Sequence, residues 1–281
     1  MDIAIIGGGA SGLCSAICAA RNLRKKGLSG KVTVLERSQK VGRKLLATGN
    51  GRCNLMNENI SLSSFHGDIK IAESVFSRFG YNEISEFFSS LGLLTRADSM
   101  GRVYPYSNRA DTVLSTLLLA CKQYGVEIIT DFTVLDIKRH KDKLEIISES
   151  CKISASSVII ACGSRANKGL GSNLGYELLG KIGVSYSPLF PSLTSVAVSE
   201  NISMLKGVRV RGNVKFLADK QIIHSEDGEI QFTDKSLSGI CVFNISRYAG
   251  EFFRLGTINR NNCETVSYTH LRAHETGAYL V

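Results

Sequence analysis

The sequence predicts an α/β chain: a parallel sheet with crossover helices, followed by a β-rich lobe. Three observations carry that expectation. Residues 2–6 (DIAII) form a short apolar run that breaks into GGGASG and continues as an Ala-, Leu- and Ile-rich helical stretch to about residue 23. Residues 31–36 (KVTVLE) alternate polar and apolar side chains and close on an acid. Residues 158–162 form an unbroken apolar run suited to a strand buried on both faces.

The first strand, turn and helix carry a specific spacing, because Gly7, Gly9 and Gly12 stand as GxGxxG. Gly7 permits the turn, Gly9 lets backbone approach a pyrophosphate, and Gly12 lets the helix pack closely on the strand. The N–H groups of Ala10 and Ser11 at the helix start then face phosphate charge. The second strand ends in Glu36, near the ~20-residue offset at which a carboxylate accepts hydrogen bonds from an adenosine ribose; an acid there also disfavours a 2′-phosphate. Alone, the glycine motif fits any tight α/β turn. With strand and acid beside it, a Rossmann-like dinucleotide site is predicted.

Further elements follow in order. Val113, Leu114, Leu117 and Leu118 share one face of a helix that begins near Arg109, and packing is the simplest reading of that face. Arg102, Tyr104 and Tyr106, just upstream, are candidates for a cleft wall. Residues 126–130, 133–139, 144–149 and 151–153 alternate as short strands, with KRHKDK as a charged turn. Residues 173–182 read as a helix. Strands at 208–217 and 221–224, a DG turn at 227–228 and a helix at 243–253 complete a β-rich lobe. The expected division is 1–190, 191–258 and a tail at 259–281.

Composition bounds the function classes. A chain of 281 residues with 43% hydrophobic and 21% charged residues and only 3 prolines is expected to pack a substantial core rather than remain disordered. Its apolar runs are too short to cross a bilayer, and the N-terminus has no signal-peptide pattern, so a cytoplasmic protein with no membrane partner is expected. Eight cysteines with no CxxC pair point to reduced thiols rather than a disulfide framework. The net charge of +9 is dispersed, and no nucleic-acid-binding signature is present, so no nucleic acid partner is expected.

Residues 44–57 (KLLATGNGRCNLMN) have neither helical nor strand periodicity. So permissive a loop lets backbone N–H groups approach a flat ring, and Arg43 and Lys44, with Arg37, can offset diphosphate charge. Both services suit FAD better than NAD. Thr48, Gly49, Gly51, Arg52, Cys53 and Asn54 are the expected contacts of the flavin end. The plainer alternatives are a solvated basic turn for Arg43 and Lys44, and a packed loop residue for Cys53.

Residues 42–57 (GRKLLATGNGRCNLMN) resemble the signature of the BaiN-like (YhiN-type) NAD(P)/FAD-dependent oxidoreductase flavoproteins. Residues 101–118, 156–183 and 187–196 resemble that family's later blocks in the same order, so the likeness covers about residues 1–255. The resemblance implies a Rossmann-like FAD-binding domain of the two-dinucleotide-domain flavoprotein type, with an inserted β-rich substrate domain. It implies FAD as cofactor and NAD(P)H as electron donor. Ala161, Cys162 and Gly163 resemble the family's small-residue turn, with cysteine in place of threonine, and the backbone of Val134 is implied to meet the adenine. The implied reaction is reduction of a carbon–carbon double bond in a 3-oxo, bile-acid-like steroid or similar small molecule. An oxidase, a flavin-dependent RNA-modifying protein and an inactive shortened fragment remain alternatives. The family's closing segment is not found. Residues 259–281 are polar and without periodicity, VSYTHLRAHET resembles translated adapter sequence, and a non-native tail is expected there. His270 and His274 beside Glu275 lack a supporting helix, so no metal is expected. No side chain is assigned a catalytic role.

Overall fold

In the computed structural model, described for residues 1–66, 69–166, 169–255 and 263–268, the chain divides into Met1–Ser185 and Tyr186–Val281. That division falls just before the expected boundary at 190. The first unit is organised by β1 (Ile3–Ile6) and β2 (Val32–Leu35), whose side chains are almost wholly buried on both faces. Strands so deeply buried have no water for their backbone N–H and C=O groups, so both edges of each must be paired. β6 (Glu127–Ile129) pairs parallel with β2, and β10 (Ser157–Ile160) pairs parallel with β1, giving the order β10-β1-β2-β6. From β1 the chain therefore crosses one way to β2 and later the other way to β10. The crevice at the carboxyl ends of these strands is the topological switch point at which open α/β sheets bind ligands.

The two faces of this sheet are covered differently. On one, α1 (Ala10–Lys25) turns Leu13, Ala16, Ile17, Ala20 and Leu23 inward against α5 (Ala110–Gln123), which contributes Val113, Leu117, Ala120 and Cys121. These positions recur at helical spacing, and their burial is the main reason both segments are helices in water. On the other face lies an antiparallel sheet of β7 (Asp136–His140), β8 (Lys143–Ile147) and β9 (Lys152–Ala155), with Ile137, Ile146 and Ala155 packed against Ala4, Ile6, Leu35 and Leu178. Leu178 belongs to α6 (Leu174–Lys181). A third sheet joins β3 (Met56–Asn57), β5 (Arg102–Pro105) and β4 (Thr95–Ala97), while α2 (Arg43–Leu46) is a single turn and α3 (Ile69–Phe76) and α4 (Tyr81–Ser90) lie between β3 and β4 in the chain.

In the second unit, β11 (Val196–Ala197), β14 (Ser236–Ser238), β13 (Gln221–Phe232), β12 (Arg209–Ala218) and β15 (Cys263–Tyr268) form one antiparallel sheet in that order. α7 (Ile240–Leu255) buries Cys241, Val242 and Ile245 against Val214, Phe216, Ile230 and Phe232. The expected DG turn at 227–228 is not there, and β13 runs straight through it. Gly228 lies opposite Gly212 in the ladder, and a Cβ on it would lie 3.0 Å from the Cys241 Cβ, so this glycine makes room for α7. The hairpin instead turns at Asp219 and Lys220, both with positive φ, as a tight turn between twisted strands requires. Cys263–Tyr268, within the stretch expected to lack periodicity, pairs antiparallel with β12. His270, His274 and Glu275 lie outside the described residues.

Candidate functional site

A cleft of about 270 Å³ opens at the switch point, between the β1–α1 turn, the end of β2, the α2 turn and the segment after β10. The sequence explains its floor. Gly7 has φ +113°, and a Cβ on it would meet the Ala161 carbonyl oxygen at 2.5 Å, so only glycine lets β1 turn beside β10. A Cβ on Gly12 would overlap the Gly7 carbonyl, so α1 starts in direct contact with the turn. Gly9 is the opposite case: it precedes α1, has nothing within 4 Å of its Cβ direction, and lines the cleft. No side chain caps α1. Its first N–H groups therefore open into the cleft with the positive end of a 16-residue helix behind them, the arrangement that receives a diphosphate.

Glu36 closes one side. Its carboxylate oxygens accept hydrogen bonds from the backbone N–H of Gly8 at 2.8 Å and of Ser38 at 2.9 Å, tying the glycine turn to the loop after β2. Each oxygen retains accepting capacity for a hydroxyl. Lys40, Arg37, Arg43 and Lys44 line the same cleft. Lys44 is held in place, its Nζ donating to the Ser164 carbonyl at 2.9 Å, and Arg37 reaches the Gly171 carbonyl at 3.3 Å. Phe132 and Val134 add an apolar wall beside Glu36, and the Phe132 N–H donates to the Glu36 carbonyl at 2.9 Å. Cys162 lines the segment after β10; burial, reinforced by the Glu36 charge, pushes its thiol up to about 11, so it is a neutral thiol near neutral pH.

Gly7, Gly9, Ala10, Ser11, Glu36, Arg37, Arg43, Lys44, Thr48, Val134, Ala161 and Gly163 thus meet at one cleft. Gly12 sits behind it as a packing glycine. Gly49, Gly51, Arg52, Cys53 and Asn54 do not line it. Their loop is a tight coil in which Gly49, Asn50, Gly51 and Cys53 all have positive φ. That coil turns Cys53 into the core with Leu13 and Val113, where burial raises its thiol pKa. Gly8, Ser38, Lys40 and Phe132 were not singled out by sequence reasoning. Gly8 had a signal in the run GGG itself: a Cβ there would meet the Val41 side chain at 2.5 Å, which explains the middle glycine.

The HI0933-like protein Rossmann domain family matches residues 1–269. The chain belongs to that family. The α/β Rossmann-like class expected from the sequence is the class found. The chain is 41% identical over 249 residues to a 3-dehydro-bile acid delta(4,6)-reductase of Clostridium scindens, covering 88% of this chain and 60% of that relative. It is 26% identical over 253 residues to a ribosomal RNA dihydrouridine synthase of Haemophilus influenzae, covering 87% of this chain and 60% of the relative. This HI0933-like chain therefore spans about 60% of the length of these two relatives. Among solved structures, THI4 of Thermovibrio ammonificans matches at 16% identity with a TM-score of 0.41, over 64% of this chain and 60% of that one. Among the described residues no helix is long and apolar enough to cross a membrane, and no group of three or more potential ligands for a metal ion occurs.

Proposed function

We propose that this HI0933-like chain is the FAD-binding part of an oxidoreductase that reduces a carbon–carbon double bond conjugated to a carbonyl in a small molecule of the 3-oxo steroid kind. One observation carries the reading: the uncapped start of α1 and the Glu36 carboxylate lie on one cleft whose rim is cationic. Those are the two receptors an adenine dinucleotide needs. The N–H groups after Gly9 take the diphosphate, Glu36 takes the adenosine ribose, and Phe132 with Val134 covers the adenine. Arg43 and Lys44 offset the phosphate charge. The start of the Thr48–Gly51 turn, which borders the cleft through Thr48, receives the flavin end.

When bound, the flavin supplies hydride chemistry, and the protein binds, orients and excludes water. Cys162, a neutral thiol, takes no part as a nucleophile. The similarity to a bile acid reductase supports an enone-type substrate, and NAD(P)H is the proposed donor. The dihydrouridine synthase relative supports a second reading, reduction of a uracil ring in ribosomal RNA, which is also a double bond conjugated to a carbonyl.

The test is purification followed by anaerobic reduction. The expected result is bound FAD, bleached by NADH or NADPH and restored by a 3-oxo-4,6-diene steroid acid. Restoration by uridine-containing ribosomal RNA and not by the steroid would select the second reading. A protein with no saturable uptake of FAD would overturn both.

A further inference from the structure

Beside the glycine loop, the third sheet of the first unit carries an array that sequence order hides. Arg52 lies over the Tyr104 ring at 4.5 Å, and its Nε donates to the Gly49 carbonyl at 3.3 Å. Arg96 pairs across the ladder with Tyr104 and lies over the Tyr106 ring at 5.4 Å. Tyr104 lies in β5, and Tyr106 lies in the turn that follows it. The result is two guanidinium groups, each seated on a tyrosine, brought together from residues 52, 96, 104 and 106.

Neither Arg52 nor Arg96 has a carboxylate partner among the described residues. Arg102 does, with Asp98, and Arg109 does, with Asp111. Arg52 and Arg96 are exposed and held by stacking on a tyrosine rather than by an acid, and their terminal nitrogens have no hydrogen-bond partner among the described residues. Stacking fixes the plane of a guanidinium while leaving its edge available for bidentate contact with a carboxylate. Tyr104 is buried and anchors the array, and Tyr106 is exposed. The Tyr104 ring lies 3.5 Å from the Cβ direction of Gly49, so the array and the loop that receives the flavin end form one packed piece.

We infer that Arg52 and Arg96 form an anion-recognising platform that holds a carboxylate on the substrate. The inference rests on the small-molecule reading above. It adds which residues of this chain receive the acid group of that substrate: Arg52 and Arg96, beside the Thr48–Gly51 turn. These residues bind and orient; they do not touch the reacting atoms.

Binding and turnover are measured separately on the FAD-loaded full chain. The probes are a 3-oxo-4,6-diene steroid bearing a side-chain carboxylate and its methyl ester. Equilibrium dialysis is expected to show the acid binding at least tenfold more tightly than the ester. Arg52→Gln and Arg96→Gln are each expected to weaken the acid about tenfold while leaving the ester unchanged. Arg52→Lys, which keeps the charge and loses the fork, is expected to recover part of the loss. In turnover the loss falls on KM rather than kcat. Equal binding of acid and ester, or equal loss for both in the glutamine variants, overturns the platform even where both steroids are reduced. Arginine-dependent binding of the acid with no reoxidation of the flavin by either steroid sustains the platform and removes the reductase reading. If the variants lose binding of a single-stranded RNA oligonucleotide but not of the steroid acid, the ligand class is wrong.

Discussion

Gly12 and Gly9 are separated by one turn of chain, yet they are expected to fail in opposite ways when changed to alanine. Alanine in a helix interior is favoured over glycine by about 1 kcal/mol. At Gly12 that gain is overridden, because the new Cβ would lie 3.1 Å from the Gly7 carbonyl carbon and 3.5 Å from the Ala161 Cβ, and would overlap the Gly7 oxygen outright. Gly7 cannot yield, since its N–H is held by the Leu35 carbonyl at 2.8 Å and its own Cβ direction is blocked by Ala161. Overpacking of this kind costs about 3 kcal/mol or more, so Gly12→Ala is expected to destabilise the protein by about 2 kcal/mol net. In urea denaturation the midpoint should fall with the slope unchanged. Gly9→Ala meets nothing within 4 Å and has φ −82°, so its stability should stay within about 0.5 kcal/mol of the parent. Its methyl group projects where the diphosphate is proposed to lie, and FAD affinity should fall at least tenfold, about 1.4 kcal/mol. A Gly12→Ala protein as stable as the parent would refute the packing argument. A Gly9→Ala protein that binds FAD normally would refute the placement of the diphosphate.

Glu36→Gln should weaken FAD roughly tenfold more than FMN, which has no adenosine ribose to lose; equal weakening in a titration of the two would show that Glu36 acts only on the turn. Burial pushes the Cys14 thiol up to about 12 and the Cys121 thiol up to about 11. Their folded values lie above the ordinary thiol value of about 8.5, so the stability they contribute is complete below that pH and is lost as pH rises towards 11. A urea midpoint that stays level from pH 8 to pH 10 would contradict this. Native maleimide labelling followed by mass spectrometry should modify exposed Cys151 well before Cys14, Cys121 or Cys162, and saturating FAD should slow Cys162 further, since it lines the cleft. Lys220→Gly relieves a positive φ of 65° in the β12–β13 turn and should stabilise the lobe by about 0.5–1 kcal/mol, read from its thermal midpoint.

What the sequence made legible was local. The β1 turn, α1, β2 and Glu36 depend on spacings within one crossover unit, and Gly12 reports a contact with Gly7 a few residues away, whereas Gly7 itself answers to Ala161 far along the chain. Val134, Ala161 and Gly163 were reached only through resemblance to a family, because nothing in an apolar strand or a small-residue turn reveals which neighbour it faces. The DG pair misled for a clear reason: glycine is demanded both by turns and by close approach of another element, and at Gly228 the approaching element, α7, follows later in the chain. Cys53 shows the same limit. Its loop looked open because it is rich in glycine, whereas four positive-φ residues wind it tightly enough to turn that side chain inward. The Arg52 and Arg96 array was invisible because its members come from three segments joined only by the β4–β5 ladder and a loop.

Glu36 shows why fold and site cannot be separated here. A carboxylate placed only to receive a ribose would be costly in the empty protein, where a half-buried charge needs partners. The N–H groups of Gly8 and Ser38 supply them, and they also fix the turn against the loop after β2. The same two bonds hold the carboxylate in one orientation where it lines the cleft, so the acceptor proposed for the ribose is oriented by the fold itself. Orientation in advance removes part of the ordering cost of binding. The aspartate that would conserve charge is shorter by one methylene, so Glu36→Asp is expected to keep the bond to the Ser38 N–H, two residues on, and to lose the one to Gly8. That variant is expected to loosen the glycine turn even with its charge kept, so at this position length acts beside charge.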